Sequence, residues 1–286
     1  MTISRRLSAR IQTAKSLLYE RMVPNGVSAG YLDRDNFGDQ LTAAFLSFVG
    51  LRALHCPRLG HATVLGVGSI LHMVPSDYEG TILGSGLIAA HRAKPFPNAT
   101  VLLARGALTV KSCEMGVNIP LGDPGILVDQ MYVDQIADET RWRCGLVPHH
   151  VDISSGQGLS RFGRDEDGVH VIDVRNPPAK VIREISQCQC ILSSSLHGLI
   201  VSDSIGIPNQ WVDPEGHVIG GSFKYEDYFS SVSREVPLIN IDSFAAIDSA
   251  ISSAQCAAST PLRLCKQAVK DAVERFRDTI IETRTF

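Results

Sequence analysis

The segment Ile191-Leu192-Ser193-Ser194-Ser195-Leu196-His197-Gly198-Leu199-Ile200-Val201 constrains the fold of this chain more than any other. Its apolar lead-in reads as a buried strand. An apolar-periodic helix begins just beyond three hydroxyls and a histidine. Such a strand-to-helix turn belongs to βα architecture, in which parallel strands are covered on both faces. The turn would aim backbone N–H groups, hydroxyls and an imidazole at one small volume. That volume suits an anion with a proton donor or acceptor beside it. A Ser-capped helix with a surface histidine would use the same residues.

At 286 residues the chain is long enough for two modest α/β domains or one large one. A formal net charge of −3 supplies no general positive field, so no nucleic-acid partner is expected. No apolar run approaches the roughly 20 residues that span a bilayer. The N-terminus lacks the apolar core of a secretory signal, which points to the cytoplasm. Seven cysteines, an odd number, include no pair at the two-residue spacing of a zinc knuckle. Cys188 and Cys190 alternate along a strand edge, and reduced, mostly buried thiols are the expected state.

Residues 1–21 differ in character. Leu7, Ile11, Ala14 and Leu18 fall on one helical stripe, and Arg5, Arg6, Arg10, Lys15 and Arg21 stand against a single acid, Glu20. A basic amphipathic helix of this kind either makes peripheral contact with an anionic surface such as the inner membrane, or packs on its own domain with a solvated basic face.

Residues 25–135 alternate between strand and helix, with strands at 27–32, 62–67, 81–83, 100–103 and 125–128. One helix follows Asn36-Phe37-Gly38-Asp39 and another covers 109–115. A second block begins near Trp142, with strands at 145–147, 169–174, 190–192 and 208–212 and a helix over 179–186 behind Pro177-Pro178. Between its first strands, 152–168 is rich in Gly, Ser and charge without a period and reads as a loop. Thr260-Pro261 opens a last helix over 261–281. The pattern is α/β: two Rossmann-like domains, 1–138 and 139–286, facing a central cleft, with the last helix placed to pack back on the first domain.

Candidate chemistry collects in loops after strands. Asn36, Gly38 and Asp39 open the first inner helix, either as an anion site with close backbone approach or as a plain capping turn. Gly84-Ser85-Gly86 would cradle a phosphate or carboxylate, or serve as a tight turn. Arg105-Gly106 suits bidentate recognition of either anion, or is a surface arginine. His149-His150 favour a substrate-facing polar wall over a metal site, since no carboxylate sits at metal-ligand helical spacing nearby. Lys224, flanked by Phe223 and Tyr225, would neutralise an anionic ligand or belong to an amphipathic surface.

Together these pieces resemble the polysaccharide pyruvyltransferase family, in particular the ketal pyruvyltransferases of bacterial exopolysaccharide synthesis. They run in order over 36–228: Asn36-Phe37-Gly38-Asp39, Gly66-Val67-Gly68-Ser69-Ile70-Leu71, Leu83-Gly84-Ser85-Gly86, Ala104-Arg105-Gly106, Gly122-Asp123-Pro124-Gly125, Val147-Pro148-His149-His150, Ser194-Ser195-Leu196-His197-Gly198 with Ser202-Asp203, and Gly206-Ile207-Pro208. The resemblance implies a GT-B-like fold, phosphoenolpyruvate as co-substrate, no cofactor or metal, and an oligosaccharide or lipid-linked oligosaccharide acceptor. It implies catalytic roles for His197 and Arg105. Donor binding would fall to Ser193, Ser194, Ser195, Gly198, Lys224, His149 and His150, and acceptor or anion binding to Asn36, Gly38, Asp39, Ser85 and Gly86. Some family members carry Arg-Leu-His where this chain has Ser195-Leu196-His197, so Lys224 or Arg105 would have to supply the missing cation.

Two other functions share the pattern. A glycosyltransferase using a nucleotide sugar would need a carboxylate for the ribose, for which Asp213 or Glu215 is available. A non-catalytic glycan- or phosphate-binding protein would keep the cleft without turnover. A dinucleotide oxidoreductase fits less well, because no Gly-x-Gly-x-x-Gly follows the first strand.

Overall fold

The computed structural model describes residues 3–32, 35–155, 157–214 and 221–283. Among these residues ten strands form two parallel five-stranded sheets. The first contains β1 (Gly26–Gly30), β2 (Arg52–His55), β3 (Val64–Leu65), β4 (Thr81–Leu83) and β5 (Thr100–Leu103), in the order β2-β1-β3-β4-β5. The second contains β6 (Cys144–Val147), β7 (Val169–Val171), β8 (Ile191–Ser193), β9 (Asn209–Asp213) and β10 (Ile239–Asn240), in the order β10-β9-β8-β6-β7. Numbered within its own half, each sheet therefore runs 2-1-3-4-5. This is a doubly wound order whose switch point lies between β1 and β3 in one lobe and between β6 and β8 in the other.

The helices are α1 (Ile3–Met22), α2 (Phe37–Phe48), α3 (Ala107–Ser112), α4 (Val128–Met131), α5 (His150–Ser155), α6 (Pro178–Ser186), α7 (Leu196–Ile205), α8 (Phe223–Ser231), α9 (Phe244–Ser253) and α10 (Ser259–Glu282). Nine of the ten residues of α7 are buried, including the polar His197, Ser202, Asp203 and Ser204, which makes it a central helix. One hydrophobic cluster runs through both lobes, joining Phe37, Leu41 and Phe45 of α2 to Leu196, Leu199 and Ile200 of α7 and to Val269, Val273 and Phe276 of α10. Each such side chain contributes about 1.5–3 kcal/mol by burial. The backbone N–H of Phe37 donates across the lobes to the Val174 carbonyl at 2.8 Å. The lobes share a core and leave a small pocket between them.

Helix α10 reaches the first lobe through Lys266, whose ammonium donates to Asp129 at 2.8 Å and to the Ser204 carbonyl at 2.7 Å. Two expected elements differ. Residues 125–128 are not a strand: Pro124 and the Asp123 carboxylate, which accepts from Gly125 N at 2.8 Å, start a 3-10 turn that leads into α4. Within 152–168, α5 and two 3-10 turns replace the unstructured loop. All seven cysteines are free thiols. Among the described residues no helix is long and apolar enough to cross a membrane.

Candidate active site

A pocket of about 200 Å³ opens where the two switch points meet. Leu32, Asn36 and Asp39 enter it after β1, and Gly68, Ser69, His72 and Met73 after β3. His149 and His150 enter after β6, and Ser195, Leu196 and His197 after β8, with Ile88 and Lys224 completing the wall. Each lobe thus offers the carboxyl ends of the strands flanking its crossover, where open α/β sheets bind ligands.

His197 links the lobes. It sits in the first turn of α7 and its ring lies against the backbone of Gly38 in α2, so close that a Cβ at Gly38 would fall 2.1 Å from Nδ1. Phe37 meets the ring edge-on, with centroids 6.3 Å apart. On the other side Nε2 is 3.7 Å from Oδ2 of Asp123, too far for a hydrogen bond, and neither atom has a hydrogen-bond partner among the described residues. Asp123 is held by its second oxygen, which caps Gly125. The carboxylate therefore stands ready to offset positive charge on the imidazole, from a fixed position.

The remaining polar groups differ in charge. Lys224 of α8 is 5 % exposed, and burial, followed by the nearby Arg105 guanidinium, lowers its ammonium to about 8. It remains mostly cationic at neutral pH. Burial, with Lys224 and His150 adding to it, lowers His149 to about 3. His72 is lowered by burial and then by Arg92. Both imidazoles are therefore neutral hydrogen-bonding groups rather than proton donors near pH 7. Ser195 occupies the N-cap position of α7 but makes no side-chain capping bond. Its hydroxyl and the first N–H groups of α7 accordingly border the pocket with the positive end of the helix. Opposite them, Asn36 donates to the Asp39 carboxylate at 3.1 Å.

Several residues expected at the site do not line it. Arg105 is completely buried: Nε donates to Asp227 Oδ2 at 2.9 Å, Nη1 to Ser69 Oγ at 2.5 Å and Nη2 to the Leu87 carbonyl at 2.6 Å. It supports Ser69 from behind instead of facing a ligand. Gly86 makes room for that guanidinium, since a Cβ there would lie 2.4 Å from Arg105 Cζ. The Ser85 hydroxyl donates to the Gly66 carbonyl, so Gly84-Ser85-Gly86 is a packed turn and not an anion cradle.

Ser193 bonds the Val147 and Ser195 carbonyls, while the Ser194 hydroxyl accepts from His149 N at 3.0 Å. Both serines shape the loop without facing the pocket. Gly198 allows α7 to pack closely, because its Cβ would strike Ser193 Oγ at 2.3 Å. Asp213 ends β9 and is buried, and Glu215 lies outside the described residues.

Ser69 and His72 line the pocket and Asp123 stands behind His197; the sequence assigned none of them a role, though Ser69 and Asp123 fall within motifs of the resemblance. The signal for Ser69 was its place after a strand. Asp123 sits in a Gly-Asp-Pro-Gly run that looks like any turn. Among the described residues no group of three or more His, Cys, Asp or Glu side chains is arranged to hold a metal ion.

Residues 96–215 match the family model described as polysaccharide pyruvyl transferase. Over 169 residues the chain is 32% identical to uncharacterized protein L143 of Acanthamoeba polyphaga mimivirus, covering 57% of this chain and 58% of that protein. Over 215 residues it is 26% identical to the succinoglycan biosynthesis protein ExoV of Rhizobium meliloti strain 1021, covering 71% and 65% respectively. The matched stretch is under two thirds of the length of each relative. The family match contains α7, β8, the His149-His150 turn, Asp123 and Arg105, and stops short of Lys224.

Proposed function

We propose that this chain, whose residues 96–215 match the polysaccharide pyruvyl transferase family model, transfers pyruvate from phosphoenolpyruvate to a sugar, forming a ketal. The acceptor in this proposal is an exopolysaccharide unit or its lipid-linked precursor, and the reaction runs in the cytoplasm. The observation that carries it is one small pocket lined by His197, Lys224, Asn36 and Asp39, with the buried Asp123 carboxylate 3.7 Å from His197 Nε2.

The donor anion lies against Lys224, Ser195 and the start of α7, where cation, hydroxyl and helix N-terminus share its charge. Protonation of the methylene carbon makes C2 electrophilic. A sugar hydroxyl attacks C2, the C2–O bond to phosphate breaks, and a second hydroxyl closes the ring. Two hydroxyl protons are released: one makes good the proton taken up at carbon and the other leaves on the phosphate. His197 handles these transfers, and Asp123 offsets the charge while the ring holds two protons. Asn36 and Asp39 orient the acceptor hydroxyls. No step calls for a metal or cofactor.

The pocket size favours this donor over a nucleotide sugar. Sites for larger ligands occupy about 300–1,000 Å³, against about 200 Å³ here. The test is incubation with phosphoenolpyruvate and a panel of oligosaccharides, followed by mass spectrometry and phosphate assay. The expected product gains one pyruvate less one water per phosphate released. Calorimetric binding of a uridine diphosphate sugar, with none of phosphoenolpyruvate, would replace this proposal with glycosyl transfer.

A further inference from the structure

Helix α1 is turned inside out relative to an ordinary surface helix. Its inward face is polar: Thr13 and Ser16 are buried, Ser16 Oγ lies 3.0 Å from Ser28 Oγ of β1, and Glu20 accepts from Thr63 at 2.6 Å. Its outward face is apolar. Leu7 is 58% exposed, Ile11 50%, Leu18 57% and Met22 71%. At 3.6 residues per turn these four fall within an arc of about 60°. Arg10 and Arg21 border the stripe on one side and Lys15 on the other, all exposed. The only acid of α1, Glu20, points inward to Thr63.

Scattered apolar side chains on a surface need no explanation, but an aligned stripe flanked by cations does. A second copy of the same stripe would bring like charges together. An anionic lipid surface satisfies both halves of the pattern, with acyl chains for the stripe and headgroups for the cations. We propose that the exposed face of α1 docks this protein onto an anionic lipid bilayer, lying on the surface without crossing it. Gln12 meets His55 at 3.2 Å, and His55 in turn lies 2.9 Å from the Tyr31 carbonyl, at the carboxyl ends of β2 and β1. The first turns of α1 therefore stand at the same edge of the sheet as the pocket.

The test is co-sedimentation of the full chain with vesicles of phosphatidylglycerol and phosphatidylcholine, compared with phosphatidylcholine alone. Binding is expected to require phosphatidylglycerol and to fall with salt. It should drop about fivefold for each of Arg10, Lys15 and Arg21 changed to Gln. The triple variant Leu7→Gln/Ile11→Gln/Leu18→Gln should lose binding while unfolding at the wild-type temperature. Failure to bind anionic vesicles, or equal binding by the triple variant, overturns the proposal. So does a wild-type dimer that the triple variant converts to monomer, since the stripe would then be covered by a second copy.

Discussion

Arg105 and Asp227 bind each other across the two lobes with neither side chain exposed to solvent. The same Asp227 accepts from the backbone and hydroxyl of Thr109, both at 2.7 Å, so one carboxylate ties α8 to the start of α3. Gly106 permits this approach, because a Cβ there would stand 1.7 Å from the Asp227 carbonyl oxygen. Removing one partner of a buried pair leaves the other charge unpaired, at a cost of about 3–5 kcal/mol. Arg105→Met and Asp227→Leu are each expected to destabilise by that order in denaturant titrations. The double variant should recover much of the loss. Full stability in Arg105→Met, with only donor affinity lost, would return the arginine to the ligand.

Asp123 acts on His197 from a fixed point, so the two should fail differently. His197→Gln is expected to lower kcat by about 10²-fold or more, at unchanged thermal stability. Asp123→Asn keeps an oxygen to cap Gly125 but removes the charge facing Nε2. Its kcat should fall, by less than in His197→Gln, while the His197→Gln background should make the further change Asp123→Asn nearly silent. An unchanged kcat in Asp123→Asn would make Asp123 a capping residue only.

The βα alternation was legible where a strand is bounded by Gly or Ser, as β1, β3, β4 and β8 are. Neither β2, with Arg52 and His55, nor the two-residue β10 reads as a strand in sequence. The residues following β1, β6 and β8 did converge. Asn36, Asp39, His149, His150, Ser195, His197 and Lys224 all line one pocket. Arg105 was misplaced for a reason no local pattern reveals: its partner, Asp227, is 122 positions away. Ser85, Ser193 and Ser194 look like free hydroxyls in sequence, yet short loops turn them onto backbone carbonyls or amides. Asp123, quoted within the Gly122-Asp123-Pro124-Gly125 motif, had no role assigned because a carboxylate before proline is a common turn signal, and only the fold brings it to 3.7 Å from His197.

Lys224 gives the site a pH limit. Its ammonium, lowered to about 8, carries charge below that pH and loses it as the pH rises. For an anionic donor, kcat/KM should therefore decline above about pH 8, by up to tenfold per pH unit. Lys224→Met should start from a lower value and show no such decline. His149, held near 3, stays neutral throughout and should add no inflection between pH 5 and 9. A profile flat to pH 10 in the wild type would separate Lys224 from the donor.

Gly38 tests the arrangement most sharply, since it touches the imidazole without contributing any functional group. Its backbone is already helical, so Ala would favour α2 on propensity alone, by about 0.8–1.0 kcal/mol. The new methyl would nevertheless occupy a point 2.1 Å from Nδ1 of His197, and the ring, pinned on its far side by Asp123, would have to move. A displacement of about 1 Å at a reacting group costs on the order of 10²-fold in rate. Gly38→Ala is therefore expected to lose about as much turnover as His197→Gln while α2 remains helical by circular dichroism. Adding Gly38→Ala to the His197→Gln background should then cost little further. Near-normal turnover in Gly38→Ala would mean that the imidazole does its work from a position other than the one against α2.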